Sequence, residues 1–74
     1  VHQTTVYLNV DKFDLETLRM GLTSEYAIAK HLNLHASTVN RARKGFPIGQ
    51  RFVIACTTYL PVTFEQITKI ERAA

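Results

Sequence analysis

The stretch EYAIAKHLNLHASTVNRARKG, from Glu25 to Gly45, constrains the fold of this chain more than any other. It predicts two short helices joined by a tight turn. Ile28 and Leu32 lie four apart and share one helical face. Ala29, beside Ile28, is small enough to let a second helix cross closely. Asn33 stands where the chain must reverse, and Asn is one of the few non-glycine residues that tolerate a left-handed conformation. Leu34 follows the turn, and Val39 and Ala42 complete the apolar set. At about 100° per residue, Ala36, Ser37, Asn40, Arg41 and Lys44 fall within one arc, opposite Val39 and Ala42. A helix that buries the second pair therefore presents small, polar and cationic groups together on its other side.

That combination suits the major groove of double-stranded DNA, where base edges offer donors, acceptors and a methyl group. The Arg41 guanidinium matches O6 and N7 of guanine, and the Asn40 amide matches adenine in the same bidentate manner. Ser37 can donate or accept, and the Ala36 methyl can meet the methyl of thymine. Ala36, Ser37, Asn40 and Arg41 are the expected base-reading set. His35, Thr38, Arg43 and Lys44 border that face and are expected at phosphates. Arg51 joins them, with free N–H groups at the start of a further helix around Ile48 to Gln50. Each residue also has a plainer role: a solvated surface arginine, an alanine that only favours helix, a Lys30 that only meets water.

This pattern resembles the helix-turn-helix of Cro- and lambda-repressor-like DNA-binding domains, in which a small residue follows the first apolar anchor. In that family apolar residues recur at the positions held here by Leu34, Val39 and Ala42. The segment GFPIGQRFVIACTTYLPVTFEQI is similar to the family's continuation: a glycine ends the recognition helix, a proline opens the fourth helix, and Thr63 starts a short fifth. The likeness covers roughly residues 14 to 67. Asn33 departs from the usual turn glycine. Glu25 stands where many relatives carry a glutamine on a phosphate; a carboxylate there repels DNA, so that contact is not carried to this chain. The resemblance implies a transcriptional regulator of bacterial or bacteriophage type, a repressor that occupies an operator. It would act as a homodimer on an inverted repeat, with recognition helices about 34 Å apart.

The flanks predict the remaining elements. VHQTTVYLNV, residues 1–10, alternates like a strand. Its expected partner is the tail from Thr68 to Ala73, with Ile70 toward the core and Lys69 and Glu71 toward water. Asp11 to Met20 predicts a first helix, capped by Asp11 or Asp14, burying Phe13, Leu15 and Leu18, and ended by Gly21. Thr23 or Ser24 caps a second helix, and a third runs from Ala36 to Lys44. Pro47 opens a fourth to about Tyr59, with Phe52, Ala55, Cys56 and Tyr59 as its buried stripe. Thr63 to Gln66 forms a capping box for the fifth, which contains Phe64 and Ile67. The expected architecture is mainly α: one compact five-helix, lambda-repressor-like domain over residues 1–74, with a short terminal strand pair.

Composition narrows the function classes. A chain of 74 residues, 46% hydrophobic, suffices for one small globular domain. No apolar run approaches membrane-spanning length and no signal-peptide pattern opens it, so a cytoplasmic location is expected, at the nucleoid or in the host cytoplasm if phage-encoded. Its single cysteine, Cys56, excludes an intrachain disulfide and sits on a helical stripe as a buried, inert thiol. The net charge of +3 is modest, but no carboxylate occurs from Tyr26 through Phe64, an interval holding Lys30, Arg41, Arg43, Lys44 and Arg51. Such a basic middle suits a polyanion. His2, His31 and His35 lack metal-site spacing, no serine or threonine has a His/Asp arrangement, and no glycine-rich phosphate loop exists. No enzyme, cofactor or metal is expected. The rival readings are a protein-interaction module, antitoxin-like or adaptor, and a DNA-architectural or recombination accessory factor.

Overall fold

A computed structural model describes residues 4–72. The elements follow as β1 (Thr4–Leu8), α1 (Val10–Arg19), α2 (Glu25–Leu32), α3 (Ala36–Arg43), α4 (Gln50–Tyr59), α5 (Phe64–Ile67) and β2 (Thr68–Arg72). The chain is mainly helical, and its two terminal strands close an antiparallel pair, Thr4 opposite Arg72 and Leu8 opposite Thr68. The strand expected from Val1 lies partly outside the described residues, as does Ala73.

Asn9 ties the strand pair to both α1 and α5. Asn9 donates its N–H to the Ile67 carbonyl at 2.8 Å and its Nδ2 to the Gln66 carbonyl at 3.2 Å. Its Oδ1 accepts the Lys12 N–H at 3.3 Å, which makes Asn9 the N-cap of α1. The expected caps, Asp11 and Asp14, are not used, because tying Asn9 to the end of α5 starts the helix one residue earlier, at Val10.

The face that α1 buries also differs from expectation. Phe13 is fully buried, as expected, but Leu15 and Leu18 are 45% and 65% exposed, and Glu16 and Thr17 lie inside instead. Both polar residues reach the interior already satisfied. Thr17 Oγ1 donates to the Phe13 and Asp14 carbonyls at 3.0 and 3.1 Å, and Glu16 accepts from Lys12 Nζ at 3.2 Å and Arg19 Nη1 at 3.1 Å. Internal partners remove most of the cost of burying such groups.

The α2–turn–α3 unit matches expectation closely. Ser24 caps α2 by accepting the Ala27 N–H. Asn33 takes the left-handed conformation, φ 57 and ψ 45. The Leu34 N–H then reaches the Ala29 carbonyl at 2.8 Å and the Asn33 N–H the Lys30 carbonyl, the paired bonds of a Schellman turn. Ile28, Ala29 and Leu32 of α2 meet Val39 and Ala42 of α3 in the core, with Leu34 packed beside them. Gly45, at φ 100, ends α3 with backbone that a side chain would strain.

The fourth helix begins later than Pro47. Ile48 packs against the core and gives its N–H to the Val6 carbonyl of β1 at 2.9 Å, and residues 46–49 stay outside the helix. Gly49 is the N-cap. Phe52, Ala55 and Cys56 are buried as expected, with the Phe52 ring tilted on Phe13 at 5.9 Å between centroids. Tyr59 is half exposed and sets its ring edge against His31, so Leu60 replaces it in the core. The capping box of α5 is present with both reciprocal bonds between Thr63 and Gln66, and Ile67 is buried while Phe64 stays partly exposed.

Candidate nucleic-acid interface

The packing of α3 decides which of its residues are available. Val39 and Ala42 are buried against α2, while Ala36, Ser37, Thr38, Arg41 and Lys44 are exposed and Asn40 is half-buried. Of the expected base-reading residues, Ala36, Ser37 and Arg41 are therefore exposed on one side of α3, and Asn40 beside them is partly covered. The N-cap, His35, has extended backbone and makes no capping hydrogen bond with its ring, so its imidazole is free to act outward. Lys44 lies just past the last helical residue as the C-cap, still on the same side.

Arg41 is positioned by a residue that the sequence reading did not single out. Its guanidinium carbon lies 5.3 Å from the centroid of the Phe46 ring, a distance at which a cation is attracted to the ring face. Phe46 is placed there by the Gly45 turn and by its own N–H, which donates to the Arg41 carbonyl at 3.1 Å. The contact narrows the range of rotamers Arg41 explores, and its guanidinium makes no ion pair within the described residues. An exposed aromatic directly after a helix-ending glycine was the available signal.

Asn40 and Arg43 are held from behind by two carboxylates that come from the acidic N-terminal part of the sequence. The Asn40 amide nitrogen donates to both oxygens of Glu25, at 3.0 and 3.1 Å. Arg43 donates through Nε and Nη2 to the two oxygens of Asp14, at 3.1 and 3.4 Å, and through Nη1 to Glu25 at 3.3 Å. A carboxylate only accepts, so the Asn40 nitrogen must face it and the Asn40 oxygen is the end left for a ligand. Bidentate pairing of Asn40 with adenine, expected from its residue type, needs that nitrogen as well. Arg43, expected at a phosphate, has its charge already matched by Asp14 and Glu25. In three dimensions the basic stretch is thus less basic than its sequence suggests.

Three of the remaining phosphate candidates fall together near the start of α3, apart from Lys44 at its end. His35, Thr38 and Arg51 line a groove of about 750 Å³ between the α2–α3 turn and α4, whose other walls include Leu34, Ile54 and Tyr59. Arg51 is exposed and makes no ion pair within the described chain. Of the N–H groups expected to join it, that of Ile48 is spent on Val6, while Gln50 and Arg51 stand in the first turn of a helix whose cap, Gly49, has no side chain. A smaller hollow of about 220 Å³ brings Thr38 and Arg41 against Pro47 and Gly49. Lys30 is exposed on α2, away from these groups in sequence and without a described partner.

Among the described residues no group of three His, Cys, Asp or Glu side chains converges as metal ligands. Cys56 is buried, and that burial pushes its thiol from an ordinary 9.0 up to about 12, far from the range of a reactive nucleophile. No helix among the described residues is long and apolar enough to cross a membrane. No family model, curated protein or solved structure matches this chain.

Proposed function

We propose that this chain is a sequence-specific double-stranded DNA-binding transcriptional regulator of the Cro/lambda-repressor-like kind, with α3 as its reading helix. The observation that supports this most is the division of α3 itself. One side is locked into the core through Val39 and Ala42, while on the other Ala36, Ser37, Thr38, Arg41 and Lys44 are exposed and Asn40 is half-buried against Glu25. Arg41 reads a guanine, with roughly 1–3 kcal/mol of discrimination for a good bidentate pair. Ser37 and Ala36 contact neighbouring base edges. Asn40 reads through its oxygen, accepting from N6 of adenine or N4 of cytosine. His35, Thr38, Lys44 and Arg51 hold phosphates, and Arg43 positions Glu25 and the helix rather than touching DNA. A single module of this size contacts few base pairs, so two copies on an inverted repeat give the required affinity. Operator occupancy then represses transcription, in a bacterial or phage-infected cytoplasm.

Selection of bound sites from random duplexes tests this reading. The expected product is a short two-fold motif, bound with an affinity that falls log-linearly with salt. Arg41→Ala relaxes the preference at one position of each half-site, and Lys44→Ala weakens all duplexes alike and lowers the salt slope by about one contact. If no motif emerges and both variants bind duplex as the wild type does, α3 is not a reading helix. Salt-insensitive binding to a protein instead favours an interaction module, and bending without sequence preference favours an architectural factor.

A further inference from the structure

The groove between the α2–α3 turn and α4 holds more than a phosphate needs. Its volume of about 750 Å³ falls in the range of small-molecule sites, which combine mostly apolar walls with a few polar groups. Leu34, Phe52, Ile54 and Tyr59 form the apolar part here. Ile54 and Tyr59 are 52% and 48% exposed, so two large apolar side chains meet water beside the residues proposed for phosphate. A phosphate gains nothing from them, because it is held through charge and hydrogen bonds alone.

The polar groups of the groove suit an organic anion. Arg51 makes no ion pair among the described residues, and its planar fork matches the two oxygens of a carboxylate. The His35 ring makes no capping bond, and Thr38 brings a hydroxyl. No Asp or Glu lines the groove, and none occurs from Tyr26 through Phe64. The apolar wall is also fixed in advance. The Tyr59 carbonyl accepts from His31 Nε2 at 3.0 Å, and the two rings meet edge-on with centroids 6.1 Å apart. Phe52 is held from below by Phe13, and the Leu34 N–H is bonded to the Ala29 carbonyl. Walls already in place cost a ligand little ordering.

We infer that this groove binds a small aromatic carboxylate, its carboxylate on Arg51 and His35 and its ring against Leu34, Ile54 and Tyr59. Such a ligand takes the same groups that the DNA reading gives to phosphates. Ligand and operator therefore exclude one another, and the carboxylate acts as an inducer. That consequence rests on the proposed DNA reading, whereas the site itself does not. A ligand of about 11–13 non-hydrogen atoms, held by one charged contact and one ring, binds with a Kd of about 0.1–1 mM.

The test is titration of the full chain with indole-3-acetate and with 3-phenylpropionate, followed by nuclear magnetic resonance. Inorganic phosphate and the uncharged indole-3-acetamide are the controls. Both acids are expected to shift the Leu34, Ile54 and Tyr59 signals saturably, and both controls to bind at least about tenfold more weakly. Arg51→Ala weakens the acids about tenfold. Ile54→Ser, at a half-exposed position, weakens them about fivefold and leaves phosphate unaffected. In a duplex-binding assay the acids release the wild type from DNA at lower concentration than they release Ile54→Ser, whose own DNA affinity is that of the wild type. Absence of shifts at tens of millimolar acid overturns the inference, as does binding insensitive to both variants. Phosphate that binds as well as the acids overturns it too, since the groove is then a bare anion site. Acids that bind yet leave a specific duplex in place overturn the inducer role. Because the titration contains no DNA, its failure leaves the DNA reading standing, and a chain that binds the acids but no duplex refutes that reading alone.

Discussion

Replacing Glu25 by alanine should lower stability and raise non-specific DNA affinity together, a pairing of effects that few substitutions produce. Glu25 accepts from Asn40 and Arg43 with its side chain 33% exposed, and Arg43 is 35% exposed. A buried hydrogen bond to a charged group contributes about 1.5–3 kcal/mol, and a fully exposed ion pair roughly 0–1 kcal/mol. A third exposed on both sides, with Arg43 keeping its contacts to Asp14, the loss should be about 1–1.5 kcal/mol. In a domain of this size that lowers Tm by about 4–8 °C per kcal/mol. On the DNA side, removing the carboxylate frees one arm of Arg43 and the Asn40 nitrogen. One additional phosphate contact steepens the salt dependence by about 0.9, so that raising salt from 50 to 200 mM costs about 3.5-fold more affinity than in the wild type. Thermal unfolding followed by circular dichroism, and binding to a random-sequence duplex at several salt concentrations, read the two effects separately. Glu25→Gln keeps an acceptor for Asn40 without the charge, and should retain part of the stability while showing most of the gain on DNA. Unchanged Tm in Glu25→Ala, or DNA affinity that falls along with stability, would refute the idea that Glu25 holds these side chains back from the ligand.

Two further substitutions probe the interior. Phe13→Ala removes a fully buried ring that packs on Phe52 and should cost about 3–5 kcal/mol, enough to unfold a domain this small; Leu18→Ala, at a position 65% exposed, should stay within about 0.5 kcal/mol of wild type in urea unfolding. Equal penalties would mean that α1 is rotated from the orientation described. At Cys56 the folded thiol keeps its proton up to about 12 against an ordinary 9.0. The unfolded chain therefore ionises first, and stability should be undiminished below pH 9 and fall as pH rises through that window. Labelling by a thiol reagent at neutral pH should proceed only as fast as the chain opens, and rapid stoichiometric labelling of native protein would contradict the burial.

Much of the architecture was legible because it rests on local chemistry. Asn33 at the turn, Ser24 and Thr63 as caps, Gly45 as a stop and the Ile28, Leu32, Val39, Ala42 stripe each act within a few residues of themselves. Where the reading failed, a distant group had intervened. Asn9 rather than Asp11 or Asp14 starts α1 because Ile67 and Gln66 hold it. Pro47 lies outside α4 because the Val6 carbonyl claims the Ile48 N–H. The exception is α1, where Leu15 and Leu18 face outward and the buried Glu16 and Thr17 are satisfied by partners three or four residues away.

The candidate interface divides along the same line. Which side of α3 is bare follows from residue order alone, since helical periodicity places Val39 and Ala42 opposite Ser37 and Arg41. Which of those polar groups remain free does not follow from it. Asp14 and Glu25 are far from Arg43 and Asn40 along the chain, and only the crossing of α1, α2 and α3 sets them in contact. Hydrogen bonds and ion pairs act over a few ångströms whatever the sequence separation, so the side chains left to meet a ligand were decided by the tertiary structure.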